Sequence, residues 1–317
     1  MLLSETYPEA FDGFHVYDCA IRTNGYCFIL SEIKKERTDK EPLKRMVAYF
    51  PDYQGEPLLN WKEYRGFANP HLSIAYQPNE QAVMLALRAP VAVMGSGVSG
   101  MEQDVPHGNK NMPLFNGAHG IATIDGYVYA VGGWRTACRR VGPNQWENIV
   151  DRKTMPAPES DGALPTGGFS AIDGFNANDI YCVGRNGDAW RFDGKQWHQC
   201  ALPTNMYLEN VCCAGDGYVY IGAQSGSVLK GSDNNWTLIH RGDLSLPFRD
   251  MVWYQGKVWC TSDYGLWTIE NDKLVEPDLP DGVRFCSGRL AVGDGKLMLA
   301  GMYGATVYDG KRWEHLL

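Results

Sequence analysis

Residues 120–133 read GIATIDGYVYAVGG, and four later stretches repeat the phrase: GFSAIDGFNANDIYCVGRNG from Gly168, NVCCAGDGYVYIGAQSG from Asn210, DMVWYQGKVWCTSDYG from Asp250 and GRLAVGDGKLMLAGMYG from Gly288. Each copy has an alternating apolar run, a turn at Asp-Gly or Gln-Gly, a second alternating run, and then one or two glycines. Asp-Gly between two such runs supplies the positive φ angles that a tight hairpin needs, so the runs are expected to pair antiparallel. The turn glycines Gly126, Gly174, Gly217, Gly256 and Gly295 are spaced 48, 43, 39 and 39 residues apart. Short strands repeating with a period near 40 are the signature of β-propeller blades.

Each copy closes on a further phrase, VGPNQWEN, FDGKQWHQ, GSDNNWTL, ENDKLVEP or YDGKRWEH, which puts Trp146, Trp197, Trp236, Leu274 and Trp313 at equivalent places. A large apolar side chain recurring on the outermost strand is expected to fill the space between neighbouring blades. Fainter copies precede these five. DCAIRTNGYCFIL from Asp18 has Asn24-Gly25 at its turn and leads past an insertion to MVAYF and Trp61, and HLSIAYQPNEQAVMLAL from His71 turns at residues 78–81. The expected fold is all-β: a single propeller over residues 1–317, with clear blades from about 118 to 317 and degenerate ones from about 11 to 117. Seven four-stranded antiparallel blades fit best, with six or eight left open. The one stretch with helical character is the charged run SEIKKERTDKEPLKR (residues 31–45), limited by Pro42 and read chiefly as a solvated loop.

Composition fits one soluble body, with 36 Gly, 44% hydrophobic and 12% aromatic residues to supply the turns and the core. MLLSETYPEAF lacks the positive start and apolar centre of a signal peptide, and the run AVMLALRAPVAVM from Ala82 is broken by Arg88 and Pro90, so neither export nor membrane insertion is expected. Nine cysteines, an odd number lying mostly in strand patterns, suggest buried free thiols in a reducing cytoplasm. No Cys-x-x-Cys pair points to zinc. With 29 basic against 37 acidic residues the net charge is −8, which disfavours nucleic acid and suits a basic protein partner.

No constellation for catalysis, metal binding or a cofactor stands out. GSGVSG from Gly95 lacks the Gly-Lys-Ser/Thr of a phosphate loop, and the seven histidines are scattered. His119 could meet Glu209 and Asp250 in a central channel, which keeps an enzyme reading alive. The repeat alignment instead gathers aromatic, arginine and acidic residues on one face: Trp134, Arg135, Arg185, Asp188, Tyr207, Glu209, Phe248, Arg249, Asp250, Asp263, Tyr264, Arg284, Phe285 and Tyr303. These residue types concentrate binding energy at protein interfaces.

With their D-G-x-V-Y-x-x-G and D-G-x-x-W phrases, the copies resemble bacterial β-propeller repeats of the kelch and WD-like superfamily, over residues 120–317 and more faintly from Asp18. The resemblance implies a fold and a binding habit. It transfers no site, because the WD dipeptide is absent and the double glycine of kelch repeats is intact only at Gly132-Gly133. The expected function is that of a non-catalytic, monomeric protein binder, such as an immunity protein covering a bacterial toxin domain. The alternatives are an enzyme with a central-channel site (lactonase, lyase or glycan hydrolase) and a carbohydrate-binding propeller.

Overall fold

The computed structural model describes residues 2–33, 41–158 and 167–317. Their strands form seven four-stranded antiparallel sheets, each built from four strands consecutive in sequence. The blades occupy residues 14–64, 71–101, 120–148, 169–199, 208–240, 250–275 and 289–315. The ring therefore has seven blades, and both faint N-terminal copies are complete ones.

Turn chemistry sets the first hairpin of several blades. The pairs Asp125-Gly126, Gln255-Gly256 and Asp294-Gly295 all have positive φ, from 47° to 81°, as a two-residue hairpin of this twist requires. Blade 4 departs from the sequence reading. Asp173-Gly174 is not its turn but lies inside the first strand, Phe169–Asn176, with Gly174 opposite Ile180. The chain turns instead at residues 177–178. Two contacts with neighbouring blades account for the shift: the Asp173 carboxylate accepts the Cys213 N–H of blade 5 at 2.8 Å, and Asp125 of blade 3 accepts the Ala177 N–H at 2.6 Å.

The tail residues Trp146, Trp197, Trp236, Leu274 and Trp313 lie on the fourth strands, each in the apolar cluster shared with the preceding blade. Trp197 is 2% exposed, and its indole N–H donates to Ile149 O of blade 3 at 2.9 Å. Trp313 stacks on Tyr308 with ring centroids 4.9 Å apart and meets Trp259 of blade 6 edge-on. In blade 1, Leu59 joins the seam while Trp61 lies outside it, 37% exposed. Seven such clusters separate seven blades, so the core is a ring of seams. Glycine matters where blades touch through their backbones. A Cβ on Gly168 would come within 2.6 Å of the Gly133 Cα across the seam between blades 3 and 4.

The seam between blades 7 and 1 closes the ring with added material. Helices α1 (Leu3–Thr6) and α2 (Pro8–Phe11) carry Leu3, Ala10 and Phe11 into it, and the Leu3 N–H donates to Leu316 O at 2.8 Å. Arg45 holds this plug in place. Its guanidinium donates to Glu9 O and Ala10 O at 3.0 and 2.6 Å and to Glu63 at 2.5 Å, and it lies 3.9 Å from the Phe14 ring centroid. The charged run thus departs from its reading at both ends. Residues 31–32 finish a strand and Lys44 and Arg45 begin the next, both buried: Lys44 donates to Ser31 Oγ at 2.7 Å and lies over the Tyr17 ring, while the ring closure draws in Arg45; residues 34–40 lie outside the described residues.

Because Trp197 fills a seam, Trp197→Ala should lower the unfolding free energy by about 3–5 kcal/mol. Trp61→Ala should cost less than about 1 kcal/mol, since substitutions on the surface usually do little. Urea denaturation of both variants checks the pair. Truncation before Asp294 removes most of blade 7 and should leave no cooperative unfolding transition by calorimetry.

Candidate binding face and central channel

In every blade the first strand starts on the side where second strands connect to third, and where each blade leads to the next. All fourteen sequence-derived residues lie on this side or at the inner mouth of the ring, but they do different work there. Arg135 and Asp188 form a two-point ion pair between blades 3 and 4, at 2.7 and 2.9 Å, while Asp188 also accepts the Trp190 indole N–H and Arg135 lies over the Trp190 ring. Trp134 is half-buried and stacked on Phe115, with ring centroids 4.5 Å apart. Arg185 lies over the Tyr207 ring, whose hydroxyl accepts from Ser170.

Phe248 is core: 2% exposed, it meets Trp267 edge-on. The repeat alignment puts it on the binding face beside Arg249, but the connection from blade 5 turns its ring inward. Arg249 faces Asp263 at 3.4 Å. Arg284 pairs with Glu276 at 3.2 Å, both exposed. Tyr264, Phe285 and Tyr303 are the outward-facing aromatics of the set, at 76%, 72% and 74% exposure.

Inside the ring runs a channel of about 1100 Å³, lined at its polar end by Tyr17, His71, His119, Glu209, Asp250 and Arg289. Its acidic residues stitch blades together. Asp18 accepts the N–H groups of Cys19 and of Leu72 in blade 2, Asp173 those of Gly174 and of Cys213 in blade 5, and Asp250 those of Met251 and of Leu290 in blade 7. Asp18 and Asp173 were not singled out from the sequence, although a lone carboxylate in an apolar first strand was the available signal. Burial pushes both up to about 6, against the bonds from their N–H donors, and it also raises Asp250. His71 is pushed down to about 3, by burial first and then by the cationic Arg289 and Arg249. Burial lowers His119 as well, and its Nδ1 lies 3.1 Å from Phe169 O in blade 4.

His119, Glu209 and Asp250 line the same channel, and each has surroundings of its own. His119 is joined to blade 4, Asp250 accepts two backbone N–H groups, and Glu209 is raised by burial, against the pull of the Arg185 cation. Among the described residues no group of three or more His, Cys, Asp or Glu is placed to hold a metal ion. All nine cysteines are free thiols, and Cys212 and Cys213 enter different seams, as alternation along a strand requires. No helix among the described residues is long and apolar enough to cross a membrane.

No protein-family model matches the chain. The immune protein Tsi7 of Pseudomonas aeruginosa is 34% identical over 244 residues, which is 77% of this chain and 78% of that protein. Among solved structures, the WD40 propeller domain of Doa1 aligns over 94% of both chains with a TM-score of 0.59 and 10% identity. The RRP9 WD40 repeats align over 96% of this chain and 91% of theirs, with a TM-score of 0.57 and 12% identity. These likenesses to WD40 propellers establish the fold alone.

The stitches have a measurable consequence. Replacing Asp18 or Asp173 by Ala strands a backbone N–H of the next blade and should cost about 1–3 kcal/mol. A carboxyl that titrates near 6 when folded but near 3.9 when unfolded binds its proton more tightly in the fold. Its stabilisation is therefore full below about pH 4 and is lost as the pH rises through 6. The deficit of the double Ala variant relative to the parent should be larger at pH 5 than at pH 7.5, as read by urea unfolding at the two pH values.

Proposed function

The chain belongs to the family of the immune protein Tsi7, and from that premise we propose that it is itself an immunity protein, a propeller that binds a toxin and blocks its action. One observation carries the reading: 34% identity sustained over more than three-quarters of both chains, against 10–12% for the propellers that share only the fold.

The face where blades connect supports a binding role, because its loops stand on a rigid ring and are free to differ in sequence without disturbing the seams. The partner we propose is basic. A net charge of −8 gives this chain a field that speeds encounter with a positively charged protein and weakens as salt screens it. One copy acts on one toxin, in the cytoplasm of the cell that makes it.

Expression of toxin genes adjacent to this chain's gene, with and without the chain, tests the proposal. The expected outcome is that at least one toxin kills alone, is tolerated when the chain is co-expressed, and co-purifies with it at a one-to-one ratio. Cells that die equally with and without the chain, for every such toxin, would overturn it.

A further inference from the structure

Three aromatic rings stand out from the connecting face along a single seam. Tyr264 is in the loop between the second and third strands of blade 6, Tyr303 is in the corresponding turn of blade 7, and Phe285 lies on the short 3-10 helix Val283–Cys286 between those blades. They are 76%, 74% and 72% exposed, and Met302 beside Tyr303 is 59% exposed. Among the described residues none of the three rings meets another ring or a cation, unlike Trp134 on Phe115 or Tyr207 under Arg185. Single exposed apolar residues are ordinary on a protein surface, whereas several gathered on one seam mark a contact site.

The platform beneath them is rigid. Val283 and Cys286 of the same short helix are buried in the seam, and Ser287 Oγ donates to Arg284 O at 2.6 Å. The Thr261 hydroxyl accepts the Gly288 N–H, and Ser262 Oγ accepts the Tyr264 N–H at 3.1 Å. Rings held on ordered backbone lose little freedom on binding, which favours them as anchors. The surround is acidic. Glu276, Asp278 and Asp281 are exposed on the same connection, against Arg284, which is already paired with Glu276.

We propose that this arc, off the ring axis on the seam between blades 6 and 7, is the anchor for the toxin, and that it receives a segment whose apolar side chains are flanked by lysines or arginines. The inference rests on the immunity reading and narrows it. The channel and the linked residues of blades 3 to 5 serve the fold, while Tyr264, Phe285, Tyr303 and Met302 take the partner's apolar groups and Asp278 and Asp281 face its cations.

The probe is a catalytically inactivated form of a toxin that the parent chain neutralises, with binding followed by biolayer interferometry. Tyr264→Ala, Phe285→Ala and Tyr303→Ala should each weaken binding by about 10-fold or more, and the triple variant by more than about 100-fold, through faster dissociation. Asp278→Lys with Asp281→Lys should slow association several-fold at low salt, a difference that high salt removes. Tyr53→Ala and Val98→Ala, exposed elsewhere on the ring, should bind like the parent, and none of these variants should lower the melting temperature. A triple variant that binds within about two-fold of a neutralising parent overturns the arc and leaves the immunity reading standing. A parent that binds no toxin overturns both.

Discussion

A four-stranded sheet has two faces and can bury neither alone, and every other feature of this protein follows from that constraint. Each blade lays one face on the blade before and the other on the blade after, so the apolar residues gather in seven seams. Burial of apolar surface contributes about 25 cal/mol per Å², so a ring left open would lose a whole seam. The seam between blades 7 and 1 has no continuous chain across it, and it is the one reinforced by two short helices and the buried Arg45.

Polar residues support the same seams from inside. A backbone N–H at the inner edge of a propeller is hidden from bulk water and needs an acceptor. Asp18, Asp173 and Asp250 each supply one across a seam, although burial raises all three above the ordinary carboxylate range. The channel is therefore polar for structural reasons. Its histidines are held neutral near pH 7 by burial and neighbouring cations, which suits a wall more than a proton relay.

The outer face divides on the same physical ground. Residues that look alike in sequence, such as Phe248 and Phe285, differ in whether the fold already covers them. Arg135 is locked to Asp188 and Phe248 is covered, whereas Phe285 projects from a short helix with no ring partner among the described residues. A surface side chain without an internal partner can give its full contact to another protein.

The repeat phrase by itself determined the architecture, because glycine-bearing hairpin turns, alternation along strands and a bulky residue on the outer strand are local properties that recur through the clear copies. It misplaced the turn of blade 4 and the character of residues 44–45, where tertiary contacts outweigh local preference: Cys213 and Asp125 pull the hairpin past Gly174, Ser31 and Tyr17 cover Lys44, and the ring closure buries Arg45. The repeat alignment also places its candidates on one side of the ring without ranking them. Whether an arginine is paired or an aromatic ring is covered depends on residues tens of positions away, as between Arg135 and Asp188, and only the closed ring brings those together.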